Sequence, residues 1–298
     1  MIWACMGPDP APLFPNYDLF VWDDVMRDIG GAVIPCNWLQ VMENSLDPVH
    51  AEWLHTYFSN YALERLGRSD LKRSLVNGGT LEFRHAKIAF DVFEHGIIKK
   101  RLLVGMSEED DGWAVGHPII FPNILRVGNA FQMRGPVDDT HTYHWWYTCH
   151  KARPGFEVTK QDSIPFYEVP VPTLSDSGEP IWPMVDNNSG QDIAMWYTQG
   201  DVADRTQENL GLSDKGVNLY RRMLEANVAR VKRGEDPMNV FRDPAANEYI
   251  EFHTEQQFFS SGDDSRVART GQAGKYSPIL QEAAKQIQGE EVLAEPVH

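Results

Sequence analysis

The chain has 298 residues, 42% apolar and 11% aromatic, and its 43 acidic against 27 basic side chains give a formal net charge of −16. That length builds one large domain or two modest ones, and the acidic balance excludes nucleic acid and an anionic membrane surface as natural partners. Three widely separated cysteines, Cys5, Cys36 and Cys149, make no C-x-x-C or C-x-H pair, so neither a disulfide framework, a zinc ribbon nor an iron–sulfur site follows from these residues, and a reducing cytoplasm suits them. The N-terminus has no basic segment followed by an apolar core, and no apolar run approaches the 18 residues of a membrane span.

In chain order, Met1–Met6 reads as a short strand-like piece running into a Pro-rich linker up to Asn16. Residues 17–36 hold a candidate strand, then Gly30-Gly31 and a short apolar run to Cys36. From Asn37 to Phe58, Trp38, Leu39, Met42, Trp53 and Leu54 recur at near-helical spacing, which predicts two short helical pieces broken at Asp47-Pro48. Asp47 is placed to cap the second piece, whose first turn accommodates the proline.

From Gly78 onward the apolar period changes to two. Leu81, Phe83 and His85, then Ile88, Phe90 and Val92, alternate with polar residues. Ile97 to Val104, Ala114 to Pro122, Ile124 to Val127, Ala130 to Arg134 and Thr142 to His150 continue the pattern, separated by turns such as Asp110-Asp111-Gly112 and Gly128-Asn129. These strands predict an antiparallel sheet. Residues 151–190 read as a long irregular excursion, followed by a short helix over Gln191–Tyr197. A long helix capped at Ser213 presents Val217, Tyr220, Met223, Leu224, Val228 and Val231 on one face and ends at Gly234. The tail from His253 reads as a loosely held polar surface segment with a last helix around Ile279–Ile287. The fold class is α+β: a helix-grip antiparallel sheet around a long helix, with a cavity between them for a small apolar ligand.

The chemistry concentrates in Asp47-x-x-His50-x4-His55. Two imidazoles and a carboxylate with other positions open suit non-haem Fe(II) and oxygen activation. Residues five apart lie about 140° from each other on an ideal helix, so both histidines reach one ion only through a distorted or widened turn. Spacing alone leaves two core histidines as the alternative, and it does not identify a third ligand among 43 acidic residues.

The stretch Asn37-Trp38 … Glu43-Asn44 … Asp47-x-x-His50-x4-His55 resembles the signature of the catalytic domain of Rieske-type aromatic ring-hydroxylating oxygenases. The likeness is to large subunits of the phthalate dioxygenase type, including aryl O-demethylating relatives. It continues in Phe121–Arg126, Pro136–Thr142, Gln191-Asp192, and Asp204-Arg-Thr-Gln-Glu-Asn-Leu-Gly-Leu-Ser-Asp-Lys-Gly216, spanning roughly residues 37–222. The resemblance implies a facial triad of His50, His55 and Asp192 on mononuclear Fe(II), with Asp47 as the bridging aspartate of the electron route and Asn44 at the iron pocket. Trp53, Phe121, Asn123, Trp145 and Trp146 are the expected cavity liners, and Arg126 or Arg134 is a candidate clamp for an aromatic carboxylate.

The implied function is to hydroxylate or O-demethylate a small aromatic compound with O2 and electrons from NAD(P)H, delivered through a reductase or ferredoxin. A homotrimer is the implied assembly. The family's N-terminal domain carries a [2Fe–2S] cluster on C-x-H and C-x-x-H ligands, and neither pair occurs in this sequence. Residues 1–16 resemble the end of that domain and its linker, residues 17–252 the iron domain, and 253–298 a polar tail. The expectation is therefore a truncated form, or a cluster carried on another polypeptide. Two other readings remain: an iron-free aromatic-ligand-binding protein on the same scaffold, and a zinc hydrolase, which lacks an obvious general base beside the histidines.

Overall fold

The computed structural model describes residues 7, 9–69, 72, 84–152, 154–255 and 273–283. The expected strand over Met1–Met6, the alternation at Leu81 and Phe83, and the helix beyond Ala283 lie outside these residues.

Among the described residues eight strands form one sheet in the order β2-β3-β4-β5-β6-β7-β1-β8. They are β1 (Val25–Ile34), β2 (His85–Phe93), β3 (Gly96–Leu103), β4 (His117–Ile120), β5 (Ile124–Val127), β6 (Ala130–Pro136), β7 (Thr142–Lys151) and β8 (Phe166–Glu168). All neighbours are antiparallel except β1 and β8. The helices are α1 (Asp18–Val21), α2 (Trp38–Glu43), α3 (His50–Glu52), α4 (Ser59–Arg65), α5 (Asp111–Ala114), α6 (Asn188–Tyr197) and α7 (Lys215–Lys232). The architecture is a mixed α+β, helix-grip-like fold.

Side-chain parity divides the core in two. On one face Ile29, Phe131, Met133 and Tyr147 pack with Tyr17, Phe241 and Phe252 from the chain's outer segments. On the other, Ile34 and Trp146 pack against Ile193 and Trp196 of α6, while Ile97, Ile119 and Leu125 meet Met42, Leu46, Val217 and Tyr220. The helices that carry the chemistry-bearing stretch therefore all lie on this second face.

Three departures from the sequence reading have local causes. β1 continues through Gly30-Gly31 because β8 closes over it: a Cβ at Gly30 would stand 2.8 Å from the Tyr167 ring, and one at Gly31 would stand 2.8 Å from Phe166. β8 itself lies inside the expected irregular excursion. The expected strand from Ala114 starts only at His117, since α5 takes Ala114 and Gly116 turns the chain at φ +77.

The long helix starts at Lys215, with Gly211 N–H bonded to the Asp214 carboxylate at 2.6 Å rather than a cap at Ser213. It ends before Gly234, at φ +78. Of its expected apolar face, Val228 and Val231 are exposed. The polar tail is held at several points: Thr254, Glu255, Ser277 and Ala283 are buried, and Ser277 Oγ donates to Asp28 at 2.5 Å. Among the described residues no helix is long and apolar enough to cross a membrane.

Candidate metal centre

α2 is capped by Asn37, whose side chain accepts from Leu39 N–H at 3.0 Å. The chain then tightens into a single 3-10 turn, Asn44–Leu46. Asp47 is extended, and its carboxylate accepts from Val49 N–H at 2.8 Å and His50 N–H at 3.1 Å, so it caps the next piece as expected. After α3 the helix widens into a π turn over Trp53–Phe58 before regaining α geometry in α4. Its hydrogen bonds run from i to i+5, which brings residues five apart toward one face. Thr56 Oγ1 donates to the Ala51 carbonyl at 3.1 Å, five residues back, and supports the widened turn. The His50 and His55 rings consequently stand edge to face, with centroids 4.9 Å apart.

The third group arrives on α6. Asn187 caps this helix by accepting from Gly190 N–H at 2.9 Å, and Gln191 and Asp192 follow, both buried. Asp192 Oδ1 lies 3.2 Å from His55 Nε2 and 3.9 Å from His50 Nε2. One donor atom from each of the three residues falls within 4.8 Å of the others.

Neighbouring groups fix which nitrogen each imidazole presents. His50 Nδ1 is 2.6 Å from the Asp47 carbonyl, which only accepts, so Nδ1 carries the proton and Nε2 the lone pair. The Gln191 amide donates through Nε2 to the Val185 carbonyl at 2.9 Å, which turns Oε1 toward His55 Nδ1, also at 2.9 Å. His55 Nδ1 is thus the donor, and Nε2 faces Asp192. Such outer partners orient metal-ligating histidines.

Asp192 Oδ1 is buried without a hydrogen-bond partner among the described residues. Burial would raise its carboxyl pKa, but protonated His55, then protonated His50 and the Arg134 charge, would outweigh that and hold it below the usual carboxylate value. An orphaned, ionised oxygen beside two imidazole lone pairs fits a cation. A cleft of about 530 Å³ reaches His50 of the group, lined also by Asn44, Asp47, Trp53, Trp196 and Val217 among others.

The remaining expected site residues divide. Asn44, Asp47 and Trp53 line this cleft, Trp53 being exposed and stacked on Tyr57. Phe121 is core, packed on Tyr220 of α7 at 6.0 Å. Asn123 donates to the Arg134 carbonyl at 2.8 Å and secures the β5–β6 pairing. Trp145 and Arg126 require correction as pocket residues, because both project from the opposite face of the sheet. Trp145 shares a separate groove with Phe20, Ile29 and Tyr147, whereas its strand neighbour Trp146 packs in the α6 cluster. Arg126 is buried against Asp18 at 3.4 Å and lies over Trp22 and Phe131.

Gln191 enters the sequence reading as a helix start and as part of the matched Gln191-Asp192 motif, without the role beside His55 that the structure gives it, and Lys99 is not singled out. Lys99 had a detectable signal: with Arg101 it shares the strand parity of apolar Ile97 and Leu103, an inward charge pattern.

A helix-grip-like domain with two oriented imidazoles and a carboxylate beside a cleft defines a class, that of proteins able to hold a single metal ion next to a small ligand. The comparisons narrow it. A family profile described as LigXa C-terminal domain like matches residues 184–266. The chain is 38% identical over 255 residues to the 5,5'-dehydrodivanillate O-demethylase oxygenase subunit of Sphingobium sp. (strain NBRC 103272 / SYK-6), covering 85% of this chain and 56% of that one. It is 26% identical over 265 residues to the phthalate 4,5-dioxygenase oxygenase subunit of Pseudomonas putida, covering 78% and 58%. It is also 26% identical over 271 residues to the phenoxybenzoate dioxygenase subunit alpha of Ectopseudomonas oleovorans, covering 80% and 58%. The chain is thus a relative of the Rieske-type aromatic oxygenase large subunits, of the phthalate dioxygenase type. It spans just over half the length of these curated relatives.

Proposed function

We propose that this chain is the catalytic part of an oxygenase component that uses O2 and externally supplied electrons to hydroxylate or O-demethylate a small aromatic compound. The observation that carries the reading is the convergence of His50 Nε2, His55 Nε2 and Asp192 Oδ1 within 4.8 Å, with Oδ1 otherwise orphaned. Two imidazole nitrogens and one carboxylate would hold a metal ion while leaving other positions open, the donor set of non-haem Fe(II) oxygenases. Fe(II) held there would supply the one-electron and O2 chemistry that side chains lack.

The chain's own residues set the conditions around the ion. The Asp47 carbonyl and Gln191 amide hold both imidazoles in the tautomer that presents Nε2. Asp192, buried on α6, brings a negative charge that partly offsets the ion's. Trp196 and Val217 form apolar cleft wall beside Asn44, which favours an aromatic ring. The Asp47 side chain is 32% exposed and bonded to His50 N–H, so it is at once a neighbour of the site and a surface group. It suits the role of an electron doorway at a subunit boundary, with a homotrimer as the assembly.

A [2Fe–2S] cluster outside these residues, reduced from NAD(P)H through a reductase or ferredoxin, is the proposed electron source. Buried, unpaired Cys36 and Cys149 fit a cytoplasmic setting. Nitric oxide tests the reading, because it binds ferrous iron at open positions as O2 does. Protein loaded anaerobically with Fe(II) and exposed to nitric oxide should give the S = 3/2 electron paramagnetic resonance signal of a non-haem iron nitrosyl. Stoichiometric zinc with no such signal after iron loading would sink the proposal in favour of a hydrolase.

A further inference from the structure

The supports of the metal centre meet in the turn before α6. Trp182–Met184 is a single 3-10 turn, and the chain then passes through Val185 and Asp186 to Asn187, the cap of α6. The Val185 carbonyl accepts from Gln191 Nε2, the amide whose other end faces His55 Nδ1. Asn187 holds the first turn of the helix that carries Asp192 through Gly190 N–H, and the Met184 carbonyl lies so close to Gly190 that no Cβ would fit there. On its other side the Trp182 ring meets Phe58, at the end of the π turn, and Tyr61 of α4, with centroids 6.4 and 5.6 Å apart. One short irregular segment therefore touches both the element bearing His55 and the element bearing Asp192.

What holds this turn from behind comes from far along the chain. A 3-10 turn over Ala273–Tyr276 brings Lys275 against it. Lys275 Nζ donates to the Pro183 carbonyl at 2.8 Å and to Asp186 Oδ1 at 2.5 Å. Asp186 Oδ1 also accepts from Asn187 Nδ2 at 3.0 Å, so the contact reaches the cap of α6. The C-terminal segment is anchored in its turn: Tyr276 packs against the cluster that contains Ile193 and Trp196, and Ser277 Oγ donates to Asp28 on β1 at 2.5 Å. An exposed ion pair would be worth little, but the Lys275 side chain is only 12% exposed. Withdrawing an ammonium from water is favourable only where acceptors replace it, and charge-assisted bonds of this kind are the strong ones. Lys275 is thus a tether between the sheet and the turn.

We propose that Lys275 is a positioning residue for the metal centre. By fixing Pro183 and Asp186 to a segment anchored on β1, it sets where the Val185 carbonyl stands. That carbonyl fixes which way the Gln191 amide points, and the amide fixes the tautomer and ring plane of His55. The inference rests on the metal-centre reading above. It gives a role in the site to a C-terminal segment whose sequence reads as loosely held surface.

The full chain is compared as wild type, Lys275→Met and Lys275→Arg. In the metal-free proteins, heteronuclear NMR of the imidazole nitrogens reads the His55 tautomer. Wild type should show Nδ1 protonated, Lys275→Met a mixture of both tautomers, and Lys275→Arg, which keeps the charge and can serve both acceptors, the wild-type state. Anaerobic competition with a chromophoric chelator then reads Fe(II) affinity. Lys275→Met should bind about 3–10-fold more weakly, a smaller loss than for a direct partner of a ligand, and Lys275→Arg within about twofold of wild type. A segment that only stabilises the fold would lower the melting temperature of Lys275→Met and leave the tautomer and the affinity unchanged. That result, or losses that Lys275→Arg does not restore, would overturn the proposal. If Lys275→Met does not fold, Asp186→Asn decides, since it removes the charge that Lys275 meets; a wild-type tautomer and affinity in that variant would overturn the proposal equally. Wild type that binds no Fe(II) refutes the metal centre, whereas wild type and Lys275→Met binding Fe(II) equally refutes the tether alone.

Discussion

Gln191 offers the sharpest handle on how the site is oriented. Its amide is fully buried and works in both directions, accepting from His55 Nδ1 and donating to the Val185 carbonyl, each at 2.9 Å. Gln191→Leu keeps the approximate size and removes both bonds. Two buried groups are left unpaired at about 1–3 kcal/mol each, a stability loss visible in thermal unfolding. His55 also loses the partner that holds its tautomer and ring plane, and such losses lower metal affinity by about 10–100-fold, equivalent to roughly 1.4–2.8 kcal/mol. Anaerobic competition of Fe(II) between the protein and a chromophoric chelator measures the change, with circular dichroism to verify folding. Gln191→Glu, which keeps the acceptor and loses the donor, should fall between. A folded Gln191→Leu protein binding Fe(II) within about twofold of wild type would refute the orienting role, since that lies far below the expected loss.

Three further outcomes follow from the packing. A Cβ at Gly190 would stand 1.8 Å from the Met184 carbonyl oxygen, where real contacts stay beyond 3.0 Å, so Gly190→Ala should displace the start of α6. A cost of about 1–3 kcal/mol in thermal unfolding, together with weaker metal binding, is expected; unchanged values for both would contradict the account. Thr56→Val removes the hydroxyl that serves the Ala51 carbonyl in the π turn and should cost about 1 kcal/mol, again with weaker metal binding, and a neutral result would show that the turn does not need it. Burial raises the Glu255 carboxyl, yet Arg101 and His117 overcome this and hold it well below the usual range, so its pairing stabilises the fold above about pH 4.3 and is lost as pH falls further. Glu255→Gln should lose about 3–5 kcal/mol at neutral pH and show a flatter acid limb in pH-dependent unfolding; a variant with the wild-type acid limb would contradict the pairing.

Much of this was legible before any coordinates. The 140° mismatch between His50 and His55 called for a widened turn, and the π turn at Trp53–Phe58 is that distortion. Alternation located β3, β5, β6 and β7 to within a residue or two, because each buries one or both faces in a packed core. What was not legible depends on tertiary pairing. β8 is three residues long within a Pro-rich segment, and only its fit against Gly30 and Gly31 makes it a strand. Face assignment failed for Trp145 and Arg126, since a sheet with a core on both sides makes inward parity ambiguous. The meeting of Asp192 with the two histidines is likewise a product of α6 packing, which spacing does not encode.

Metal stoichiometry tests the central claim most directly. Wild-type protein, His50→Ala and Asp192→Ala are loaded anaerobically with Fe(II), desalted and analysed for iron, with circular dichroism on each. The account predicts about one iron per folded wild-type chain, from the single group of three donors among the described residues, and little or none in either variant. Iron retained at wild-type level in both folded variants would contradict it.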